Sequence, residues 1–179
     1  MGDWNVVASV HERGFVRACE LLGELAPVSR TEFYNVLVMK VEDVHAFLEA
    51  LRRLIDKTPD AHAFLARVVT VTRTFTFQTP EEFETKASDA AAPYVAELAG
   101  KRFHVRMRRR GFKGKLSSQH EERFLDEFLL RRLEENGTPG HIDFEDPDAV
   151  IAVETLGQRA GLSLWTREDL ERYRFVRVD

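Results

Sequence analysis

Apolar and polar residues alternate with two different periods along this chain, and these periods predict strands and helices in turn. In the first part, short runs rich in Val, Phe and Thr predict strands over residues 3–10, 32–41 and 67–77. Apolar stripes at helical spacing predict helices over residues 12–25, 43–56 and 79–98. The resulting order β-α-β-α-β-α favours a small α+β sandwich with a split β-α-β arrangement of the ferredoxin-like type.

Helix boundaries in this part carry clear chemical signals. Asp43 precedes the second helix, where its carboxylate can accept hydrogen bonds from the first backbone N–H groups. Thr79 and Pro80 begin the third helix, because Thr is a good cap and proline fits the first helical position. Pro93 lies inside that predicted helix, so we expect a kink or a break near Ala92.

The second part of the chain begins with a strand over residues 102–108, in which apolar residues facing the core alternate with cationic residues facing solvent. A loop over residues 109–116 leads to a helix over residues 119–135, for which Ser118 and Glu121 predict a capping box. The remaining predicted elements are strands over residues 141–144, 149–156 and 162–165, a helical turn over 166–171 and an edge strand over 175–178.

Composition changes this picture little. The chain has 179 residues, 44% hydrophobic and 31% charged, which is ordinary for one large or two small globular domains. Its single cysteine, Cys19, excludes an internal disulfide framework and a cysteine-based zinc site. No apolar run approaches the roughly 20 residues of a transmembrane helix, and the first residues lack a secretory signal. We therefore expect a cytoplasmic protein without a membrane partner.

Charge, in contrast, is concentrated in one place. The chain carries 26 basic and 30 acidic residues, yet residues 101–118, which we call the basic segment, contain no acid. Its cations are Lys101, Arg102, Arg106, Arg108, Arg109, Arg110, Lys113 and Lys115. Arginine makes bidentate contacts with phosphate, and glycine lets a backbone approach a ligand closely. The basic segment therefore predicts a polyanion-binding site, in which Phe112 either stacks on a base or packs against its own strand.

No other motif indicates chemistry. The run Gly111–Lys115 has too few residues between its glycines for a phosphate-binding loop. The six histidines show no metal-binding spacing, and the acidic turn over residues 143–148 lacks the glycine and final glutamate of a calcium loop. No set of nucleophile and base is visible, so we expect no catalytic residue, no metal, no cofactor and no enzymatic activity.

The second part of the chain resembles the THUMP domain. That family combines a strand and loop of F-x-V-x-x-R-R pattern, a helix that begins near a Ser and a Glu, a turn ending in Pro-Asp, and an I-x-V-E strand. The matching residues here are Phe103, Val105, Arg108, Arg109, Ser118, Glu121, Ile142, Asp143, Phe144, Pro147, Asp148, Ile151, Val153 and Glu154. The resemblance implies a THUMP α/β core over residues 81–179, preceded by an N-terminal ferredoxin-like domain over residues 1–80.

The resemblance also implies RNA binding, usually to tRNA near its acceptor stem and 3′ end. Most family members are fused to a modifying enzyme, for which 179 residues leave no room. The chain is therefore similar to stand-alone tRNA acetyltransferase adaptors, which present tRNA to a separate RNA cytidine acetyltransferase. We expect a non-catalytic tRNA-binding adaptor. The alternatives are a modification-enzyme subunit with a shared active site and a protein–protein scaffold.

Overall fold

The structure is a computed structural model that describes residues 2–178, and the chain folds into two compact units. The first unit contains the chain up to Thr72 together with the later segment Arg172–Arg177. The second unit contains Arg73–Glu171 with Val178. The chain therefore returns to its first unit near the end of the described residues.

The first unit has one antiparallel sheet and two α-helices. Its elements are β1 (Val6–Val10), α1 (Phe15–Gly23), β2 (Val28–Arg30), β3 (Val36–Met39), α2 (Val44–Asp56), a 3-10 turn (Ala61–Ala63) and β4 (Leu65–Thr70). The strand order is β2-β3-β1-β4, and each neighbouring pair is antiparallel. This β-α-β-β-α-β arrangement is the ferredoxin-like one, so that prediction is confirmed.

The core of this unit consists of apolar side chains that the sheet and both helices contribute. Leu22 of α1, Leu37 of β3 and Leu51 of α2 belong to one cluster and are fully buried. Burying one such side chain stabilises the folded chain by about 1.5–3 kcal/mol. The predicted cap of α2 is also confirmed, because the Asp43 carboxylate accepts a hydrogen bond from the Ala46 N–H at 2.9 Å.

The predicted strand over residues 67–77 is wrong. The structure divides it into β4 and β5 (Arg73–Thr76), which belong to different sheets. Strand-favouring residues (Val, Thr and Phe) continue through residues 67–77. Strand propensity alone therefore does not mark where the chain passes from one sheet to the other.

The edge of the first sheet also differs from the prediction. β2 was not predicted, because a three-residue edge strand with one apolar residue shows no alternating pattern. β3 is shorter than the predicted strand over residues 32–41, since Asn35 has a left-handed φ of 57° and ends the extended conformation. The Thr31 hydroxyl holds the preceding turn by donating to the Val36 carbonyl at 2.9 Å. β3 nevertheless lies inside the sheet, as predicted.

The second unit has a mixed sheet with helices. After β5 it contains α3 (Pro80–Ala91), a 3-10 turn (Ala92–Tyr94), β6 (Arg102–Arg108), α4 (Ser118–Glu135), β7 (His141–Ile142), β8 (Ala149–Leu156), β9 (Arg159–Thr166) and α5 (Arg167–Arg172). The strand order is β5-β9-β8-β6-β7. β6 runs parallel to β7 and β8, whereas β9 is antiparallel to β8 and β5.

α3 begins where the sequence signals predict, and it breaks near the predicted position instead of continuing to residue 98. The Thr79 hydroxyl accepts from the Glu82 N–H at 3.1 Å, and Pro80 is the first residue of α3. α3 ends at Ala91, and the 3-10 turn that follows contains Pro93, as expected for a residue that cannot continue an α-helix. Among residues 2–178, no helix is long and apolar enough to span a membrane.

The final described residues do not form the predicted edge strand over 175–178. The Phe175 carbonyl instead accepts a single hydrogen bond from the Val68 N–H of β4 at 3.0 Å. One backbone bond is too little pairing for a strand, but it attaches this segment to the first unit.

Candidate nucleic-acid interface

β6 presents an open edge for most of its length. β7 pairs only with Arg102 and Phe103, so the rest of that edge has no partner strand. Two carboxylates of α4 take the place of a strand: Asp126 accepts from the Val105 N–H at 2.9 Å, and Glu122 accepts from the Met107 N–H at 2.8 Å. These bonds satisfy backbone donors that burial would otherwise leave without partners.

The apolar face of β6 lies in the core, as predicted. Phe103, Val105 and Met107 are buried in one cluster with Leu125 and Leu129 of α4. The opposite face is not uniformly exposed, because His104 is only 4% exposed, against the predicted cationic outer face. Burial lowers the pKa of His104, so this side chain favours its neutral form.

The loop after β6 has a fixed, unusual backbone. Gly111, Phe112 and Gly114 all have left-handed φ values, of 89°, 55° and 78°. The Phe112 carbonyl accepts from the Lys115 and Leu116 N–H groups, both at 3.0 Å. Left-handed φ is unfavourable for phenylalanine, so a local packing gain must offset this strain.

That packing comes from the aromatic ring. The Phe112 ring lies 5.1 Å from the Phe77 ring, and it contacts the core of the second unit while remaining half-buried. Of the two roles that the sequence leaves open for Phe112, the structure shows packing, but with a ring contact to Phe77 outside β6. The ring thereby anchors the loop on which the lysines lie.

The structure separates the eight cations of the basic segment into two groups. The exposed residues are Lys101, Arg106, Arg108, Lys113 and Lys115. Arg106 lies 3.9 Å from the Glu122 carboxylate, which also accepts from the Met107 N–H. Lys113 and Lys115 flank Gly114 on the loop, so this group presents positive charge along β6 and on the adjoining loop.

Arg102 is held by the acidic turn. Its guanidinium lies 2.8 Å from Asp146 and 3.0 Å from Asp148. The Arg102 side chain and its backbone N–H lower the pKa of Asp148 to about 2. Asp143 caps the same turn by accepting from the Glu145 and Asp146 N–H groups at 2.9 and 2.8 Å. The acidic turn therefore has a structural role, because it holds Arg102 and its own backbone in place.

Arg109 is half-buried, and Arg110 faces inward. The Arg109 guanidinium donates to the Gly111 carbonyl, and only 11% of the Arg110 side chain is exposed. Arg110 lies 4.0 Å from the fully buried Glu154 carboxylate, and its carbonyl accepts from the Gly157 N–H at 2.8 Å. These contacts fix the start of the loop against β8 and the turn that follows it. The use of all eight cations in binding remains a prediction.

The start of α4 differs from the predicted capping box. Ser117, and not Ser118, is the cap, because its hydroxyl accepts from the His120 N–H at 3.2 Å. Glu121 is consequently one position beyond the capping-box position and is buried.

One exposed aromatic residue was overlooked as a functional candidate. Phe144 is 66% exposed, and its ring lies 5.3 Å from the His104 ring. An exposed aromatic ring beside a strand edge can stack on an unpaired base. The signal was a phenylalanine within a turn of acidic residues, where solvent exposure is expected.

No protein family model and no curated protein sequence matches this chain. Solved structures match its fold. PH1313 from Pyrococcus horikoshii Ot3 covers 92% of the chain with a TM-score of 0.60 and 14% identity, over 55% of its own length. TrmN from Thermus thermophilus covers 90% with a TM-score of 0.59 and 20% identity, over 45% of its length. A 4-thiouridine synthetase in an RNA complex with bound ATP covers 90% with a TM-score of 0.52 and 13% identity, over 41% of its length.

These matches concern the fold. Residues 2–178 form two sheets and five α-helices, so the predicted α+β class is confirmed and the fold is THUMP-like. The chain spans about half or less of the length of the structures that it matches.

The prediction that the chain is not an enzyme is contradicted. The same fold occurs in the 4-thiouridine synthetase and in SMU.472, a putative methyltransferase complexed with SAH, which covers 92% of the chain with a TM-score of 0.53 and 15% identity. The prediction rested on the lack of a nucleophile and base within 179 residues. The lack of catalytic residues in the matched part does not exclude an enzyme. The match covers only 42% of SMU.472, so catalytic groups of such a protein need not lie in the matched part.

Proposed function

We propose that this chain binds tRNA through the basic segment and is the RNA-recognition part of an RNA-modifying enzyme. The observation that carries the proposal is the loop anchored by Phe112, with exposed Lys113 and Lys115, adjoining the exposed Arg106 and Arg108 of β6. The fold it shares with a synthetase solved as an RNA complex supports the choice of RNA among polyanions.

The exposed cations would contact phosphates, and the partly buried ones would position them. Phosphate contacts provide affinity and register without reading sequence. Because the loop is held by Phe112 and by the Arg110 carbonyl, little loop entropy would be lost on binding. Phe144 would add a stacking surface for an unpaired base near the 3′ end of a tRNA.

Catalysis would come from elements that act together with this fold, either on the same polypeptide or on a partner chain. An RNA cytidine acetyltransferase is the partner that the sequence resemblance suggests, and a methyltransferase is the one that the structural likeness favours. Each candidate enzyme is incubated with tRNA and its labelled donor, with and without the chain. Only the true partner should modify tRNA faster when the chain is present. We place this reaction in the cytoplasm.

Charge reversal on the loop tests the RNA site. We expect Lys113→Glu with Lys115→Glu to weaken tRNA binding about tenfold or more, because two phosphate contacts become repulsive. The slope of log affinity against log salt should become shallower by about 1.5 for two lost contacts. Fluorescence anisotropy with a labelled tRNA transcript over a series of salt concentrations measures both quantities.

Arg53→Glu with Lys57→Glu is the matched control, since both residues are exposed cations at the end of α2. This variant should retain the affinity and salt slope of the unmodified chain. Equal binding by the two double variants would show that the loop is not the site. If the unmodified chain fails to bind tRNA at all, the proposed function itself is wrong.

A further inference from the structure

Helices α3 and α4 bring three metal-binding side chains together at one place in the second unit. Glu84 comes from α3, and His120 and Glu121 come from the first turn of α4. The sequence could not show this cluster, because the three residues lie on two helices that meet only in the folded chain.

The geometry of the cluster suits a single ion. The His120 Nε2 atom lies 3.7 Å from a Glu84 oxygen and 3.9 Å from a Glu121 oxygen. One donor atom from each residue falls within 4.8 Å of the other two. Donors on a common tetrahedral ion at about 2.0–2.1 Å lie about 3.3 Å apart, so movements below 1 Å would complete the site.

Glu121 supplies the independent reason to expect a cation. Its residue is 2% exposed, and its Oε2 atom accepts no hydrogen bond from the residues that the structure describes. A buried carboxylate oxygen without a hydrogen bond is costly, and the Glu84 carboxylate beside it disfavours the charged form of Glu121. Burial is the main cause that raises the pKa of Glu121 to about 7, and the neighbouring Glu84 carboxylate is the second cause. A bound cation would remove both penalties at once.

The cluster is accessible from solvent. The His120 side chain is 68% exposed and the Glu84 side chain 24% exposed, whereas the Glu121 side chain is 2% exposed. A hydrated ion could therefore be captured by the outer imidazole and carboxylate and then bound by the inner carboxylate. Three protein donors leave a coordination position for water.

We propose that Glu84, His120 and Glu121 form a binding site for one divalent first-row transition-metal ion, such as Zn²⁺. One imidazole and two carboxylates suit Zn²⁺ and its neighbours, whereas Ca²⁺ and Mg²⁺ favour oxygen donors alone. The ion would join α3 to the first turn of α4, directly after the loop of the basic segment. The site does not depend on RNA binding by that loop.

Titration of the RNA-free, chelator-treated full chain with Zn²⁺ tests the site. Calorimetry should show one ion per chain, and Zn²⁺ should raise the unfolding temperature by several degrees. Glu121→Gln and His120→Ala should each weaken binding at least about tenfold. Co²⁺ should bind with the visible absorption of a low-coordinate ion, which both variants should lose.

His120→Ala keeps its backbone N–H, which is the group that bonds to Ser117, so α4 should still fold. Thermal unfolding without metal verifies this for both variants. His141→Ala and Glu127→Gln, which change exposed side chains outside the cluster, are the controls and should bind like the unmodified chain. Equal Zn²⁺ affinity in all five proteins would overturn the site. So would the absence of stoichiometric binding to the unmodified chain, which would leave Glu84 and Glu121 as a proton-sharing pair.

Discussion

At the scale of single residues, the unusual groups are two buried carboxyls on α4. Burial raises the pKa of Glu121 and that of Asp126 to about 7 in each case. The Val105 N–H partly offsets this effect for Asp126, because a hydrogen bond to the carboxylate stabilises the charged form. Both groups therefore hold a proton in the folded chain at a pH where an unfolded chain releases it.

This difference predicts how stability depends on pH. The folded state binds more protons than the unfolded state between the ordinary carboxyl pKa values near 4 and the raised values near 7. These groups therefore stabilise the metal-free chain fully below about pH 4, and this stabilisation is lost as the pH rises to about 7. Because one pKa unit corresponds to about 1.4 kcal/mol, each group contributes on the order of 3–4 kcal/mol over that range.

Comparison of variants isolates the effect. Burial lowers the pKa of His104, so this group makes stability rise with pH in part of the same range. The stability profile of the unmodified chain alone therefore does not isolate the carboxyl groups. Glu121→Gln and Asp126→Asn keep a hydrogen-bond acceptor and should each flatten the fall in unfolding free energy, measured by urea denaturation with chelator present. Glu135→Gln, at an exposed position at the end of α4, should not. Parallel profiles for all four proteins would contradict the prediction.

At the scale of elements, one close approach fixes how α1 begins. Gly14 is buried directly before α1, and a Cβ atom there would lie 2.5 Å from the Cβ and 2.7 Å from the Cα of Phe64. Real Cβ atoms do not come so close, so the backbone around Phe64 requires glycine at this position. The sequence shows Gly14 only as a residue before a helix.

Gly14→Ala should therefore destabilise the first unit by about 1–3 kcal/mol, the range for overpacked sites, because backbone atoms must move. Gly23→Ala is the matched control within the same helix, since a Cβ at Gly23 meets no atom within 4 Å. Alanine there should be neutral or stabilise the chain by up to about 1 kcal/mol. Chemical denaturation of both variants measures these changes, and equal effects would show that Phe64 gives way.

At the scale of the whole molecule, the chain crosses back to its first unit after Glu171. Arg172 contacts Glu49 of α2 at 2.6 Å, and Tyr173 donates to the same carboxylate. The hydrogen bond from Arg172, and to a smaller extent the one from Tyr173, lowers the pKa of Glu49 to about 2. Phe175 packs against the first core, so the first unit is built from two distant parts of the sequence.

A chain that ends at Glu171 should consequently lose stability in its first unit. We expect hydrogen exchange of the Val68 amide to accelerate at least about tenfold, because its acceptor, the Phe175 carbonyl, is removed. Amides of β8 serve as the internal control and should keep their protection, since their partners in β6 and β9 remain. Unchanged protection of Val68 would mean that the returning segment does not support β4.

The sequence by itself determined the features that depend on near neighbours. Asp43, Thr79 and Pro93 mark helix boundaries because caps and proline act within one helical turn. The periods of apolar residues likewise indicated the ferredoxin-like class, without its edge strand β2, and the buried face of β6. The basic segment was also visible, because eight cations without an acid need no folding to be counted.

Only the tertiary structure decided features that depend on distant partners. It divided residues 67–77 between two sheets and buried His104. It also placed Arg102 beside Asp148 and Arg110 beside Glu154, carboxylates that are far away in the sequence. It likewise brought Glu84 to His120 and Glu121. The physical reason is that burial and electrostatics act over a few ångströms of space, while the sequence records neighbours only along the chain. The charge of the basic segment was therefore predictable, but the division into exposed and partly buried cations was not.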